Sequence, residues 1–270
     1  MESLNFCPPA KPIAPYIGGK RNLARRLVSV IDAVDCTTYA EPFIGMGGVF
    51  LRRRRKARAE VINDISEDVA TLFRILQRHY VAFMDMLRFQ LTTRAGFERL
   101  KKTDPSTLTD LERAARFLYL QRTAFGGKVT GRNFGVSTDR PARFDVTTLA
   151  ADLEALHERL ASVTIERLPY AEFIRRYDRP ATLFYLDPPY YGSEDDYGAA
   201  VFSRDDFDRL AEQLVDIAGK FILSINATPE TREIFSHFAV LDVETTYTIS
   251  TKAQAARELI VANFDISAKS

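Results

Sequence analysis

The 270-residue chain is short of the residues on which several kinds of protein depend. Its two cysteines, Cys7 and Cys36, match no metal spacing and make no disulfide framework. His79, His157 and His237 lie too far apart in sequence to read as a ligand set. No apolar run approaches the roughly 20 residues of a membrane span. Residues Met1 to Lys11 lack the apolar core of a secretory signal. These absences set aside a structural metal, a disulfide scaffold, a membrane protein and an exported precursor. The expectation is a cytoplasmic protein with no metal and no membrane partner. What is present, 46% hydrophobic and 27% charged residues, fits one large domain or a domain carrying a smaller insert.

The net charge of +1 hides an asymmetry. Residues 1–66 hold 11 Lys/Arg against 6 Asp/Glu, residues 67–150 hold 14 against 9, and residues 151–270 hold 12 against 21. A basic first half and an acidic remainder let one face meet a polyanion while the whole stays near neutral.

The most informative stretch is Asp187-Pro188-Pro189-Tyr190, which follows the apolar run Leu183 to Leu186. The acid therefore stands where a buried strand ends. Two prolines remove two backbone donors and fix two φ angles, and an aromatic ring closes the turn. A carboxylate, free carbonyls and a flat apolar surface suit a planar ring bearing an amino group, such as a nucleobase. Taken alone, the same four residues also describe a stiff turn with an Asp cap.

Tyr39 to Leu51 reads as strand, glycine turn and helix start, with Gly45, Gly47 and Gly48 in the turn. Nineteen residues after Gly45 comes Asp64, behind the apolar pair Val61-Ile62. A glycine turn with an acid about 20 residues on, at the next strand end, is the arrangement that holds a nucleoside ribose; glycines chosen for close strand–helix packing are the plainer reading. Position 50 is Phe where a dinucleotide fingerprint has its third glycine, and Glu41 precedes the turn where a pyrophosphate would be repelled. S-adenosylmethionine, with a sulfonium and no phosphate, fits better than NAD. Upstream, Pro15 to Arg21 places Gly18, Gly19 and Lys20 before an amphipathic helix carrying Leu23, Leu27, Val30 and Ile31. A cation at a helix start is unfavourable for stability. Lys20 then serves a ligand carboxylate or phosphate, or is simply solvated.

Taken in order, these segments resemble the Dam-like, D12-class DNA adenine-N6 methyltransferases. The landmarks are Tyr16-Ile17-Gly18-Gly19-Lys20, Glu41 to Gly47, Asn63-Asp64-Ile65, the segment Gln121 to Ser137, Asp187-Pro188-Pro189-Tyr190, and Arg257 to Phe264. The resemblance covers nearly the whole chain. It implies that Tyr16, Lys20 and Asp64 contact S-adenosylmethionine, that Phe43 and Gly45 form the floor beneath it, and that Asp187 lies between the methyl donor and the target base. Two positions depart from the family pattern. Pro15 stands where many members have a lysine, and Glu172 stands where an Asp near the adenine is usual.

The implied fold is α/β, a Rossmann-like methyltransferase sheet ending in an antiparallel hairpin, with an inserted helical DNA-recognition domain. Residues 1–66 and 151–270 form the catalytic domain and 67–150 the insert. Within the insert, Ser66 caps a helix bearing Val69, Leu72, Phe73 and Leu76 on one face, and Thr109 with Glu112 makes a capping box. Residues 121–145 alternate glycines and aromatics with cations and read as a basic hairpin. Arg122, Lys128, Arg132, Asn133 and Arg140 are its candidate contacts to double-stranded DNA; a solvated surface hairpin is the alternative. The run Arg52 to Lys56 reads as a solvated face of the helix after the glycine turn.

The expected chemistry is methyl transfer from S-adenosylmethionine to adenine N6, leaving S-adenosylhomocysteine. Asp187 and the Pro188 carbonyl accept the two N6 hydrogens, Tyr190 stacks on the ring, and the base leaves the duplex to reach them. The Gly192 to Gly198 loop is expected to order over that base. Neither cysteine is placed as a nucleophile, which argues against cytosine-C5 methylation. Cytosine N4, an RNA acceptor and an inactive DNA-binding relative remain as alternatives. No obligate protein partner is implied.

Overall fold

A computed structural model describes residues 6–16, 18–20, 22–136, 139, 141–194, 202–249 and 252–266. Seven strands form one sheet in the order β3-β2-β1-β4-β5-β7-β6. They are β1 (Thr38–Glu41), β2 (Ala59–Asn63), β3 (Thr164–Glu166), β4 (Thr182–Leu186), β5 (Lys220–Asn226), β6 (Ala239–Ile249) and β7 (Lys252–Ala262). The first five run parallel. β7 joins β5 antiparallel and folds back on β6. This is the Rossmann-like sheet with a terminal antiparallel hairpin. The strand order reverses between β1 and β4, and the crevice beyond the carboxyl ends of strands at such a point is where open α/β sheets bind ligands.

All five residues of β4 are buried, because both faces of the sheet are covered. Alternation sorts its side chains: Leu183 and Tyr185 enter one hydrophobic cluster, Phe184 and Leu186 the other. Against the first face lie α1 (Ala24–Asp32), α2 (Glu67–Arg78) and α6 (Val146–Leu160), with α3 (Tyr80–Leu87), α4 (Arg94–Lys102) and α5 (Asp110–Thr123) in the same cluster. The opposite face is covered by α7 (Tyr170–Tyr177) and α8 (Asp205–Val215), with α9 (Pro229–Ile234) alongside. Ser66 accepts from the Val69 N–H, and Thr109 with Glu112 closes a reciprocal capping box. Both caps follow from a hydroxyl next to orphan amide donors.

The helices after residue 66 share one apolar cluster with the sheet, which runs from Val69, Phe73 and Leu118 through Leu153 to Leu183 and Ile222, and α6 spans residue 150. Two expectations need revision. No α-helix directly follows the glycine turn; the chain makes one 3₁₀ turn, Phe50–Arg52, and extends at Arg53. The arginine run is not a solvated face. Arg53 is 2% exposed, pairs with Asp32 at 2.9 Å and Glu60 at 3.1 Å, and lies over the Tyr39 ring. Arg55 pairs with Asp35. Four consecutive arginines look like surface, yet Asp32 and Glu60 draw Arg53 inward, while Arg54 stays exposed and Arg55 pairs with the exposed Asp35.

Candidate active site

The carboxyl ends of β1, β2, β4 and β5 open into one cavity of about 2330 Å³. Drug-sized sites occupy roughly 300–1,000 Å³, so this one has room for a nucleoside-sized molecule and a second planar group. Asp187 follows β4 directly, Asp64 follows β2, and Asn226 ends β5; all three border the cavity. Glu41 ends β1 and is buried behind it.

Two glycine turns form one wall, and they fit because neither carries side chains at the contact. A Cβ on Gly48 would stand 2.8 Å from the Gly19 carbonyl oxygen, and one on Gly45 would meet the Tyr16 ring at 3.1 Å. Gly45 and Gly47 also adopt φ of +49° and +73°, which glycine reaches at little cost. Asp64 ties this turn to β2: one oxygen accepts from the Gly45 N–H and the other from the Ser66 N–H, each at 2.9 Å. Burial pushes the Asp64 carboxyl up to about 6 despite those two donors. Asn63 clamps the neighbouring turns by donating to the Pro42 and Leu168 carbonyls and accepting from the Leu168 N–H. Phe43, Tyr170 and Phe202 make an aromatic wall with centroids 5.5–5.9 Å apart.

At the centre, the Lys20 ammonium lies 3.0 Å from Asp187 Oδ1 and 3.0 Å from Glu258 Oε2. It also donates to the Tyr190 hydroxyl and sits 4.1 Å from that ring's centroid. Lys20 is therefore neither solvated nor free for a distant carboxylate; its charge is committed to the two acids. Ser224 adds a donor to Asp187 at 3.4 Å and shares a hydrogen bond with Tyr185. Burial pushes the Asp187 carboxyl up to about 6, against the pull of Lys20, with Glu258 adding to the rise. Glu41 is pushed to about 8 by burial, with the Tyr39 hydroxyl donating to it at 2.6 Å. Asn226 fixes the loop after the two prolines by both accepting from and donating to Tyr191 backbone, each at 2.9 Å.

Around this cavity the structure gathers Tyr16, Lys20, Phe43, Gly45, Asp64, Asp187 and Tyr190. Glu172 does not join them: it sits on α7 paired with Arg176 at 2.9 Å, and the cavity at that point is bordered by Leu168, Pro169 and Tyr170. Pro188 is buried and Pro189 takes the place at the surface of the cavity. The hairpin expectation divides. Thr123 and Gly135 are paired backbone to backbone, as are Phe125 and Asn133, so a hairpin forms. Two of its cations nevertheless turn inward. Arg132, 9% exposed, donates to Gln121 and to the Lys128 carbonyl, and Arg122 donates to the Ile13 and Arg143 carbonyls. Lys128 and Asn133 are exposed. Arg140, Ile17, Arg21 and residues 195–198 of the expected closing loop lie outside the described residues.

Sequence reasoning missed Glu258, Asn226 and Asp206, which also border the cavity. Glu258 was detectable: a charged residue amid Leu259-Ile260-Val261 in a central strand is rarely buried without a task. Asn226 shows only as the polar residue that closes the largely apolar run Phe221 to Ile225, and Asp206 carries no comparable signal.

Residues 16–249 match the D12 class N6 adenine-specific DNA methyltransferase family. The type II methyltransferase M.CviBI of Paramecium bursaria Chlorella virus NC1A is 24% identical over 241 residues, covering 88% of this chain and 91% of its own. The type II methyltransferase M1.LlaDCHI of Lactococcus lactis subsp. cremoris is 24% identical over 277 residues, covering 94% and 95%. The DNA N-6-adenine-methyltransferase of Escherichia phage P1 is 26% identical over 242 residues, covering 83% of this chain and 31% of the phage protein. Among solved structures, a putative RNA methyltransferase from Pyrococcus horikoshii aligns over 88% of this chain and 79% of its own, at 10% identity and a TM-score of 0.40.

Proposed function

The chain belongs to the D12 class N6 adenine-specific DNA methyltransferase family, and from that premise we propose that it methylates a flipped adenine of duplex DNA at Asp187, with S-adenosylmethionine as donor. When bound, S-adenosylmethionine supplies an electrophilic methyl group on a sulfonium. The residues present suit that donor. Glycine backbone and the Asp64 carboxylate line one end of the cavity, an aromatic wall of Phe43, Tyr170 and Phe202 lines another, and the acids Asp187, Glu258 and Asp64 favour a cation.

The observation that carries the proposal is Asp187: a carboxylate at the switch point of the sheet, bordering the cavity and held by Lys20 at 3.0 Å. Adenine N6 is a weak nucleophile because its lone pair is delocalised into the ring. Asp187 accepts one N6 hydrogen as the nitrogen becomes pyramidal, an interaction stronger in the transition state than in the ground state; the Pro188 carbonyl, which does not border the cavity without substrate, takes the other only if the turn shifts when the base enters. Tyr190, one ring face already beneath the Lys20 ammonium, stacks on the base with the other. Lys128 and Asn133 are the hairpin residues exposed for DNA. Because N6 is inaccessible within a duplex, flipping costs a few kcal/mol, which contacts in the cavity offset.

The test is incubation of unmethylated duplex DNA with labelled S-adenosylmethionine, followed by nucleoside analysis and methylation-aware sequencing. N6-methyladenine that disappears with Asp187→Ala supports the proposal. N6-methyladenine that survives that substitution overturns the role of Asp187, and transfer to RNA in preference to duplex DNA overturns the acceptor.

A further inference from the structure

Glu258 lies on β7, 71 positions after Asp187, yet is 0% exposed and within 3.0 Å of the same ammonium that holds Asp187. Its Oε2 accepts from Lys20, while Oε1 has no hydrogen-bond partner among the described residues. A fully buried carboxylate with one bare oxygen is costly, and such groups in folded proteins call for an explanation other than stability. The lysine it touches is also unusual. Lys20 is 2% exposed and holds φ of +49°, a left-handed conformation that side chains other than glycine, Asn and Asp rarely adopt. Backbone strain of this kind persists where the surroundings over-determine it, often at functional sites.

One ammonium is thus divided between two carboxylates. Were Lys20 to face Asp187 alone, a complete ion pair would satisfy Asp187 and leave it a weak acceptor for a neutral amine. We propose that Glu258 is a positioning residue for methyl transfer: it draws Lys20 partly away from Asp187, so that Asp187 stays oriented by the lysine but keeps its accepting strength toward the substrate amine. The inference rests on Asp187 being the N6 acceptor. Other groups face Asp187 from each packed element, and they do not supply the same effect. Ser224 on β5 donates to it, Tyr185 on β4 shares that serine, Glu41 on β1 adds negative charge only when ionised, and the Tyr190 hydroxyl accepts from Lys20 and donates toward Glu258 rather than Asp187.

The test uses Glu258→Gln in the full-length protein, with Glu258→Met as the variant that removes both charge and polarity. Because Lys20 stays paired with Asp187 at 3.0 Å, neither variant leaves a buried cation unpaired, the situation that makes removal of one partner strongly destabilising, and a thermal melt of each variant checks the fold. Two readouts are required. In the ligand-free protein, a carboxyl carbon NMR titration of Asp187, assigned by its loss in Asp187→Asn, should shift to lower pH in both variants. In transfer assays, the acid limb of kcat should move to lower pH while its plateau falls by about tenfold, as expected when an acceptor becomes less basic. Lys20→Met should move the same titration the opposite way. An unchanged Asp187 titration in Glu258→Gln and Glu258→Met overturns the inference. Full activity in Asp187→Asn instead overturns the underlying assignment of Asp187, so the two failures are distinguishable.

Discussion

The cavity has two walls made on opposite terms. At the strand ends, Asp64, Asp187 and Asn226 occupy positions that the sheet itself fixes, one residue at or beyond the last hydrogen-bonded pair. Their backbone cannot move without disturbing a ladder, and their side chains reach the cavity from a rigid frame. On the hairpin wall, residues 123–135 are held by a few backbone pairs and by arginines turned under the loop. There the same residue type does two jobs. Arg132 and Arg122 act as struts, while Lys128 and Asn133 stay at the surface. Polar side chains at the strand ends are thus aimed into the cavity from a rigid frame, whereas cations in the hairpin are either turned under the loop or left at its surface.

The sharpest way to break this comparison is at Asp187. Asp187→Asn keeps shape and one acceptor but removes the charge. We expect kcat to fall on the order of 100- to 1,000-fold, as when one preorganised polar group is removed from a transition state, with S-adenosylmethionine affinity within a few fold of the parent protein. Single-turnover kinetics beside equilibrium dialysis separates the two quantities. Comparable losses in both would mean that Asp187 serves the donor more than the base. The pH dependence has a definite sign. With the Asp187 carboxyl at about 6, the accepting form is lost as pH falls through that value, so activity declines on the acid side.

Glu41 sharpens the strand-end side. Its carboxyl is raised to about 8, so near pH 7 it is mostly neutral and Gln is a close mimic. The native state holds this proton more tightly than the unfolded chain. The associated stability is complete at pH below the ordinary glutamate value of 4.5 and is lost as pH rises from there through about 8. One such group contributes a slope of up to about 1.4 kcal/mol per pH unit. Glu41→Gln should therefore show a flatter urea-midpoint profile between pH 5 and 8 than the parent. Parallel profiles would show that Glu41 is ionised in the folded protein.

The contrast also explains what is legible in the sequence. Strand ends announce themselves: an apolar run stops and an acid or asparagine follows, as at Leu186-Asp187 and Asn63-Asp64. The parallel sheet and closing hairpin are legible for the same reason, since buried strands read as short apolar runs. Partnership is not legible. Nothing local in Lys20 tells that it meets Glu258, 238 positions away, or that Arg53 turns toward Asp32 and Glu60. The helices after residue 66 show a related limit. The amphipathic face of α2 predicts a helix correctly, but periodicity does not say that this face joins a cluster continuous with the sheet.

Two hairpin substitutions of like charge test whether cations there divide as described. Arg132→Ala removes a guanidinium that donates to Gln121 at 3.0 Å and to the Lys128 carbonyl at 3.2 Å, and it leaves the buried Gln121 oxygen without that donor. A cost of about 1–3 kcal/mol in stability follows from an unsatisfied buried acceptor. DNA affinity should fall with it, because the loop loses its support, but the dependence of log K on log salt should keep its slope. Lys128→Ala removes an exposed cation and should leave the urea midpoint within about 0.5 kcal/mol of the parent. Its DNA affinity should weaken a few fold, with the salt slope reduced by about 0.9, one phosphate contact's worth. Titrating both variants into duplex DNA at several salt concentrations reads stability and charge as separate quantities. A reduced slope for Arg132→Ala would mean that its guanidinium leaves Gln121 to meet phosphate, and the hairpin would then be a wall that rebuilds itself on DNA.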